Sequence, residues 1–471
     1  MNKINWDQII DWDKKYYMHP RFAMDEWTPV PIAKVDGCYL IDKDGNKMLD
    51  FMSGYICVTI GQRYHEIQEK IKEALDKYGY LPDLLVNPYK SEAAKLIIED
   101  ILGSDGWAGR VRFLSTGSEA VEEAAIISRL YTDRPNIFSR EFNYHGWTLG
   151  AASLTSAPLW RNNLTSPKSK ERRPSHQQPS PGFFIAPAPN CYHCPYGYEK
   201  PPDCETNGIV ACLNSTDYLF RALGCDTIAG IVTELISGGA LYTTPKEYVR
   251  ALRKITREYG ILWIDDEVMT GFCRTGKWFA YQHYDEKPDI ITMGKGIVNS
   301  ALPGAGVVVN KDIAEFFDQY RWWQATTFAA HPIVTAAITA NIQAMIKMNA
   351  PERSTRLGEY LGKRLKELEN SHICVGQVSG KGLFWGIEIV KDKKTKEPIV
   401  KMDKGSLGTG DLSTWPTNII RAKAAEKGVI AGGFYPNQVR IGPSMIITEE
   451  EIDKGIEALD YGLTEIDKYC K

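Results

Sequence analysis

Apolar runs of strand length alternate with helical patterns through the middle of the chain. Residues Gly117–Leu130 and Lys246–Tyr259 have helical periodicity. Runs with the length of a buried strand are Ile228–Glu234, Ile261–Asp265, Asp289–Met293 and Gly306–Val309. Strands that alternate with helices form a mostly parallel sheet with helices on both faces. The pattern therefore predicts an α/β domain, with any ligand bound just beyond the carboxyl ends of the strands.

Both ends of the chain differ from this central region. Beyond about residue 341, charged helices are predicted at Glu352–Glu369 and Trp415–Lys427, and short strands at Phe384–Val390 and Gln438–Ile441. A Lys-Asp-Gly turn near the N-terminus predicts a hairpin across Tyr39–Met48. We therefore expect a second, smaller α/β domain after the large one.

The net charge and the first residues bear on the location and the partners that we expect for this protein. Its 471 residues contain 56 Lys and Arg against 59 Asp and Glu, a formal net charge of −3. This balance offers no broad basic surface for nucleic acid or an anionic membrane. The first residues do not resemble a secretory signal, and no run approaches the ~18 consecutive apolar residues of a membrane helix. We expect a soluble, cytoplasmic protein with no nucleic-acid or membrane partner.

Four of the ten cysteines are close together in the sequence: Cys191, Cys194, Cys204 and Cys212. They lie in residues 166–212, a segment rich in Pro and Cys that we expect to be an exposed excursion from the large domain. Cys-x-x-Cys spacing can hold zinc, although the second pair is spaced too widely for an ordinary zinc ribbon. The alternative is a loop that packs by itself, so whether it binds anything stays open. In the active site itself we expect no metal.

The segment Ser115-Thr116-Gly117-Ser118 follows a strand-like run and opens a predicted helix. Backbone N–H groups at a helix start bind anions, and here Gly117 allows close approach while the Ser118 hydroxyl adds a donor. The alternative is an ordinary helix cap by Thr116 or Ser118.

Two further motifs end strand-like runs. Three interpretations fit the acids Asp265, Asp266 and Glu267: they bind Mg²⁺, one of them faces a cationic ring nitrogen, or they cap a turn.

Lys295 lies between two glycines directly after an apolar run. A partly desolvated lysine forms Schiff bases with carbonyl groups, whereas the alternative is a solvated turn lysine. An anion site, an acid and a lysine at strand ends together fit a phosphorylated aromatic cofactor held through an imine, pyridoxal phosphate.

With these motifs in this order, the chain resembles the class III (ω-amino acid) aminotransferases of the fold-type-I pyridoxal-phosphate superfamily. The resemblance runs from about Val35 to Thr448 and rests on the segments DGCYLIDKDGNKMLDFMSG, STGSEAVE, YHG, IDDEVMTGFCRTGKWFA, ITMGKG, TTFAAHP, GKGLFWGIEIV and VRIGPSMIIT. It implies a large cofactor domain with a seven-stranded-type, mostly parallel sheet (61–340). It also implies a small α/β domain (341–471), which an N-terminal segment (1–60) joins.

The resemblance also implies residue roles. Lys295 would bind the cofactor aldehyde and then transfer protons, Asp266 would pair with the pyridine N–H⁺, and Tyr144 would stack on one ring face. The other implied cofactor contacts are Val268 on the second ring face, Gly117 and Ser118 at the phosphate, Glu234 near the ring, and Thr327 from the partner subunit. The implied substrate-side residues are Arg440, which would bind a carboxylate, together with Tyr55 and Ile56.

The implied reaction moves an amino group from an ω-amine donor to a 2-keto acid, pyruvate or 2-oxoglutarate, in a homodimer or a dimer of dimers. MTGFCRTGKWFA and NCYHCPYGYEKPPDC resemble the branch that uses taurine, β-alanine and similar ω-amines. Met269 stands where many relatives have Gln, and Gly61–His65 replaces a Gly-His-x-His-Pro stretch. The alternatives are a diamine (putrescine-type) aminotransferase, or a racemase, epimerase or aminomutase on the same fold.

Overall fold

The computed structural model describes residues 4–19, 27–157, 180–401 and 412–471. Its helices are α1 (Trp6–Tyr16), α2 (Ser53–Ile56), α3 (His65–Lys77), α4 (Pro88–Lys95), α5 (Gly117–Thr132), α6 (Leu149–Leu154), α7 (Ala211–Leu223), α8 (Lys246–Tyr259), α9 (Lys311–Gln319), α10 (Pro332–Lys347), α11 (Ala350–Ser371), α12 (Pro416–Glu426) and α13 (Glu449–Asp467). Its strands are β1 (Ile32–Asp36), β2 (Tyr39–Asp42), β3 (Lys47–Asp50), β4 (Ala108–Leu114), β5 (Asn136–Arg140), β6 (Phe183–Ala186), β7 (Glu205–Thr206), β8 (Ile209–Val210), β9 (Ile228–Thr233), β10 (Leu262–Asp266), β11 (Ile290–Met293), β12 (Ala305–Asn310), β13 (Val375–Lys381), β14 (Phe384–Ile389), β15 (Val429–Ile430), β16 (Gly432–Tyr435) and β17 (Gln438–Ile441).

A seven-stranded sheet forms the centre of the chain, in the order β4-β12-β11-β10-β9-β5-β6. β12 runs antiparallel to both of its neighbours, and the other strands run parallel to one another. β9, β10 and β11 are buried along their whole length, as expected for parallel strands covered on both faces. The predicted mostly parallel α/β sheet is confirmed.

The two faces of this sheet have separate apolar cores. Ile290 belongs to the core that includes residues of α5, whereas its neighbour Ile291 belongs to the core that includes residues of α8 and α10. Successive side chains of a strand point to opposite faces, which explains the division. The strand ends are therefore held from both sides, and the residues that follow them emerge along one edge of the sheet.

Both ends of the chain contribute to the remaining sheets. β1, β2 and β3 are antiparallel, and β15 pairs in parallel with β3, so that Leu49 lies opposite Val429. A second sheet has the antiparallel order β13-β14-β17-β16. α11 packs against β13, and α12 against β16. This association of the two chain ends supports the division at residues 60 and 340, which we keep as a proposal.

The predicted elements agree with the observed ones to within two residues at each end, but part of the predicted excursion is wrong. Residues 166–179 lie outside the described residues. Phe183–Ala186, however, form β6 of the central sheet, and α7 begins at Ala211. A four-residue apolar run among prolines is too short to show periodicity, which is why this strand was missed. None of the helices in the described ranges is both long and apolar enough to cross a membrane.

Candidate active site

The carboxyl ends of β4, β10 and β11 meet at one edge of the central sheet. A Cβ atom added at Gly117, just after β4, would lie 2.9 Å from Cγ1 of Val268. A Cβ atom added at Gly294, just after β11, would lie 3.1 Å from the same Cγ1 and 3.6 Å from the Gly117 Cα. Because glycine leaves this space open, the three backbone segments converge closely on Val268.

Lys295 follows Gly294 at the end of β11 and is half-buried. Its φ is +43°, in the left-handed region that residues with side chains rarely adopt. The turn closes through Ser300 N, which donates to the Lys295 carbonyl oxygen at 3.0 Å. Backbone strain of this kind persists where the surroundings hold it, and it concentrates at functional sites.

Asp266, the last residue of β10, is buried beside this turn. Its Oδ1 accepts hydrogen bonds from Thr292 Oγ1 at 2.9 Å and Val268 N at 3.1 Å. Asp266 and Thr292 are direct partners in the parallel pairing of β10 with β11. The acid and Lys295 therefore lie at neighbouring strand ends.

His145 is a site residue that the sequence motifs did not reveal, although it is the centre of the YHG segment. Its Nδ1 lies 2.7 Å from Oδ2 of Asp266, and both side chains are buried. Its Nε2 lies 3.4 Å from Nδ2 of Asn143. If the Asn143 amide donates to Nε2, the proton is on Nδ1 and points at Asp266. His145 thus orients the carboxylate and stabilises its charge.

The two other acids of the motif, Asp265 and Glu267, face away from Asp266 because strand side chains alternate. Oδ1 of Asp265 accepts from Thr233 Oγ1 at 3.2 Å, and Oε1 of Glu267 accepts from Tyr281 N at 3.0 Å. Burial raises the pKa of both carboxyls, and for Asp265 the negative charge of Glu267 adds to the rise. Hydrogen-bond donors of the fold face both acids, which accounts for them without a magnesium ion.

The start of α5 forms the third wall of the site. Thr116 caps the helix, because its Oγ1 accepts a hydrogen bond from Glu119 N at 3.2 Å. The alternative interpretation of an ordinary helix cap is therefore correct for Thr116. Ser118 Oγ instead accepts from Trp147 N at 3.0 Å, which leaves its own hydrogen to donate. A Cβ at Gly146 would lie only 2.4 Å from Ser118 Oγ. The YHG segment therefore packs directly on this helix start.

Glu234 lies directly after β9 and is almost fully buried. Its carboxylate accepts from Tyr144 N at 3.2 Å and from Gly238 N at 3.3 Å. Burial raises the pKa of Glu234 to about 7, with the negative charge of Asp266 adding to the rise and His145 opposing it. The group therefore changes charge close to neutral pH, next to the half-buried Tyr144.

Arg440 lies in β17 of the sheet β13-β14-β17-β16 and adds a charge to the same group of residues. It is 8% exposed, and burial lowers the pKa of its guanidinium while Tyr435 and Glu234 oppose the fall. Tyr435 is also buried, and its hydroxyl has no hydrogen-bond partner among the described residues. The structure thus gathers an arginine, a phenol and an acid with a raised pKa around one space.

Tyr55 and Ile56 belong to the single helical turn α2. Tyr55 is 53% exposed, whereas Ile56 is buried in a small apolar cluster with Ile236, Leu241, Phe384 and Met269. A Cβ at Gly238 would lie 2.5 Å from Met269 Sδ and 3.0 Å from Glu234 Oε1. The apolar cluster therefore borders the acid, with Met269 at the boundary.

Thr327 is exposed in the turn that precedes α10. Phe328 and Trp323, nearby in the sequence, have side chains that are 60% and 93% exposed. The expected role of Thr327 across a subunit interface stays a proposal.

The four clustered cysteines line one cavity, together with Tyr198 and Tyr248 among other residues. All four are free thiols, and burial raises the pKa of Cys191 to about 11 and that of Cys212 to about 12. Within the described ranges, one group of three His, Cys, Asp or Glu residues has its ligand atoms all within 4.8 Å of one another, and it consists of His372, Cys374 and Asp467 rather than of these cysteines.

That second group is explained by hydrogen bonds within the fold. Nδ1 of His372 lies 2.7 Å from Oδ2 of Asp467, and Nε2 lies 3.0 Å from Oδ1 of Asp460. Cys374 N donates to Asp467 Oδ1 at 2.9 Å. These contacts connect α13 to the segment that leads into β13.

Comparison with known proteins agrees with this geometry. The class-III aminotransferase family model matches residues 22–463. A solved S-selective transaminase from Bacillus megaterium is 43% identical, with 99% of each chain covered and a TM-score of 0.94. The structure of taurine:2-oxoglutarate aminotransferase from Bifidobacterium kashiwanohense, in complex with PLP and glutamate, is 29% identical, with 99% of each chain covered and a TM-score of 0.88.

Curated relatives include more than one activity. Taurine–pyruvate aminotransferase from Bilophila wadsworthia is 29% identical over 98% of both chains. Alanine/serine racemase from Pyrococcus horikoshii is 31% identical over 90% of this chain and 83% of its own. The family model spans nearly the whole chain, so the chain belongs to the class-III aminotransferase family.

Proposed function

We propose that this class-III aminotransferase, with pyridoxal 5′-phosphate as its cofactor, transfers an amino group from an ω-amine donor to a 2-keto acid. The observation that carries the proposal is the placement of Lys295 and Asp266 at neighbouring strand ends, with Arg440 and Glu234 together on the substrate side.

The residues fit the cofactor. The helix start at Gly117 and Ser118 suits the phosphate, because its N–H groups and the Ser118 hydroxyl can donate. Asp266, oriented by His145, suits a protonated ring nitrogen. Gly117 and Gly294 let the backbone pack closely on Val268, which we propose contacts one face of the ring, with Tyr144 on the opposite face. When bound, the cofactor supplies an electron sink for the carbanion formed at the amine-bearing carbon.

Lys295 performs the proton transfers in this proposal. Its side chain starts from a turn that is fixed on both sides, by β11 and by the hydrogen bond from Ser300. Once its nitrogen is free, it removes the proton from the amine-bearing carbon of the donor and later returns a proton. Three groups of the fold fix the orientation of the Asp266 carboxylate: the His145 ring, Val268 N and the Thr292 hydroxyl.

Arg440 is the proposed partner of the substrate carboxylate, since an arginine binds a carboxylate through two parallel hydrogen bonds. Burial raises the pKa of the neighbouring Glu234 to about 7. Glu234 can therefore be ionised and pair with Arg440 when no substrate carboxylate is bound, and can be protonated when one is. A donor without a carboxylate and an acceptor with one can then use the same space.

Taurine and β-alanine are the first donors to test, because of the motif resemblance and the 29%-identical taurine enzymes. The apolar cluster around Ile56 and Met269 favours a second donor class, primary amines with an apolar group. Diamines remain a third class. A racemase activity needs no keto acid, so the acceptor requirement separates it from transamination.

We also propose a homodimer in which Thr327 contributes to the partner's site. Exposed apolar side chains support this, since monomers rarely leave large apolar patches in water. The most exposed of them near Thr327 or in the loop before α4 are Trp323, Phe328, Leu84 and Val86. Sedimentation equilibrium gives the assembly state, and a monomer with full activity would exclude the proposal.

The function is tested by half-reactions. Purified protein loaded with pyridoxal phosphate is mixed with each amine alone, and the cofactor absorbance is followed. Conversion to the pyridoxamine form by an ω-amine, and its reversal by pyruvate or 2-oxoglutarate, is the expected result. If no amine converts the cofactor, while an amino acid loses its optical activity, the enzyme is a racemase instead.

A further inference from the structure

Arg274 is a fully buried arginine in the loop that follows the Asp266 strand, and the proposed chemistry does not use it. Burial lowers the pKa of its guanidinium to about 10, so it stays charged at neutral pH. The negative charge of Asp50 is among the influences that oppose this fall. A buried charge is costly unless it is satisfied by hydrogen bonds, so its contacts need an explanation.

Backbone carbonyl groups from distant segments accept hydrogen bonds from both terminal nitrogens of the guanidinium, whereas Nε has no hydrogen-bond partner among the described residues. Nη1 donates to the carbonyl oxygens of Pro443 at 2.5 Å and Gly442 at 3.3 Å, with Leu383 O at 3.4 Å. Nη2 donates to Val58 O at 3.4 Å. In return, Leu383 N donates to the Arg274 carbonyl oxygen at 2.9 Å.

Two of these segments carry the proposed substrate-side residues. Val58 follows Tyr55 and Ile56 by three and two residues, and Gly442 follows Arg440 by two. The segments also touch, because a Cβ at Gly442 would lie 3.0 Å from Cγ1 of Ile56. Arg274 therefore connects both segments to the loop that begins at Asp266.

The first of these segments is strained and needs such support. Ser53, Gly54 and Ile56 have φ values of +47°, +68° and +58°, and a β-branched residue such as Ile56 adopts this conformation only under constraint. Asp50 holds the turn from its N-terminal side, accepting from Met52 N at 3.1 Å and Gly54 N at 2.7 Å. Arg274 holds it from the other side through Val58, and its charge lowers the pKa of Asp50 against the effect of burial.

We propose that Arg274 is a positioning residue for substrate: it fixes Arg440 and the Tyr55–Ile56 turn relative to the cofactor side of the site. The inference rests on the proposed role of Arg440 as the carboxylate-binding residue. It goes beyond that role by assigning keto-acid affinity to a side chain that does not touch the substrate. A shift of about 1 Å in a substrate-binding group costs up to about 100-fold in efficiency, so the effect is measurable.

Arg274→Lys is the main variant, with Arg253→Lys as the matched control. Arg253 is also buried, but its bidentate partner is Asp289, at 2.6 and 2.8 Å, in the large domain. Both variants keep the charge and lose part of a buried network, so both should lower the melting temperature. Only Arg274→Lys should raise KM for pyruvate and 2-oxoglutarate, by about 10-fold to 100-fold, with kcat within about threefold of wild type.

Propionate, a carboxylate that cannot react, provides a readout without turnover. Its dissociation constant from the loaded protein, measured by calorimetry, should rise in Arg274→Lys and not in Arg253→Lys. Equal KM values in wild type and Arg274→Lys, or equal changes in both variants, would overturn the inference.

Two additional variants make the outcome unambiguous. If Arg440→Gln leaves keto-acid KM unchanged, the carboxylate role proposed for Arg440 is wrong, whatever Arg274 does. If Arg440→Gln raises KM and Arg274→Lys does not, the positioning role alone is wrong.

Should Arg274→Lys fail to fold, Asp50→Asn releases the same turn and is expected to raise KM in the same direction. An unchanged KM in Asp50→Asn would then count against the inference.

Discussion

The proposed cofactor side and the proposed substrate side of this site are built in different ways. Asp266 and Lys295 extend directly from β10 and β11, whose backbone pairing fixes their separation. Arg440 and the Tyr55–Ile56 turn come from opposite ends of the chain and meet through a strained turn and a buried arginine. The first arrangement is set by the central sheet, and the second by contacts between separate segments. Substitutions on the two sides should therefore have different kinetic signatures.

Lys295→Ala is expected to have the largest effect. In the proposed mechanism the variant loses both the covalent attachment of the cofactor and the proton-transferring base, and general acid–base catalysis alone contributes about 10²–10⁴-fold. Turnover should fall by at least that factor with every donor and acceptor, as measured by coupled assays. Lys311→Ala, at the exposed start of α9, is the control and should behave as wild type. Activity above one-tenth of wild type in Lys295→Ala would contradict the assignment.

Asp266→Asn should rank second, with a loss of about 10²–10³-fold in kcat for all substrates, because the fixed negative charge opposite the ring nitrogen disappears. Stopped-flow measurement of the half-reaction with an amine checks this. Asp265→Asn is the matched control, since that acid faces the other side of β10 and accepts a hydrogen bond from Thr233. Equal rate losses in the two variants would show that the effect is structural rather than catalytic.

Arg440→Gln should separate the two sides of the site. Hydrogen bonds to charged groups contribute about 1.5–3 kcal/mol, which corresponds to a rise of about 10-fold to 100-fold in keto-acid KM. An amine donor that has no carboxylate should keep its half-reaction rate. Initial-rate kinetics over both substrates measure the difference. A variant in which the amine half-reaction slows to the same extent would place Arg440 on the cofactor side.

Glu234→Gln should have the smallest effect on turnover, and its main effect should be on the pH dependence of stability. The pKa of Glu234 is raised from 4.5 to about 7, so its contribution to stability is fully present below about pH 4.5 and is lost as pH rises through about 7. The loss is on the order of 3 kcal/mol. Chemical denaturation between pH 5 and pH 8 should show a shallower decline in Glu234→Gln than in wild type. Parallel curves would mean that Glu234 does not titrate there.

The cofactor side was the more predictable part from the sequence, because its residues follow strands that apolar runs reveal. Lys295 and Asp266 could be named from local motifs, and the structure brings them to adjacent strand ends. The role of His145 could not be read in the same way, since only the fold brings it to Asp266 from a distant segment. Arg274 was equally hidden, because its partners are backbone carbonyls that carry no sequence signal.

Two further features, the strand β6 and the backbone strain at Ile56, could not be predicted from the sequence for physical reasons. β6 is four residues long and lies among prolines, so neither length nor alternation marks it. The positive φ of Ile56 could not be predicted from the sequence either, because isoleucine rarely adopts this conformation and the neighbouring residues do not indicate it. Such features arise from tertiary contacts and are recognisable only once the segments are together.

The parallel pairing of β3 with β15 has a consequence for the synthesis of this protein. Leu49 leaves the ribosome early, and its partner Val429 leaves near the end. At about 5–20 residues per second, the edge of β3 remains unpaired for tens of seconds while the rest of the chain is made. An open strand edge is a site for wrong association during that time. The nascent chain should therefore depend most on chaperones until its last segment emerges, and the turn that carries Tyr55 and Ile56 should be among the last parts to reach its final form.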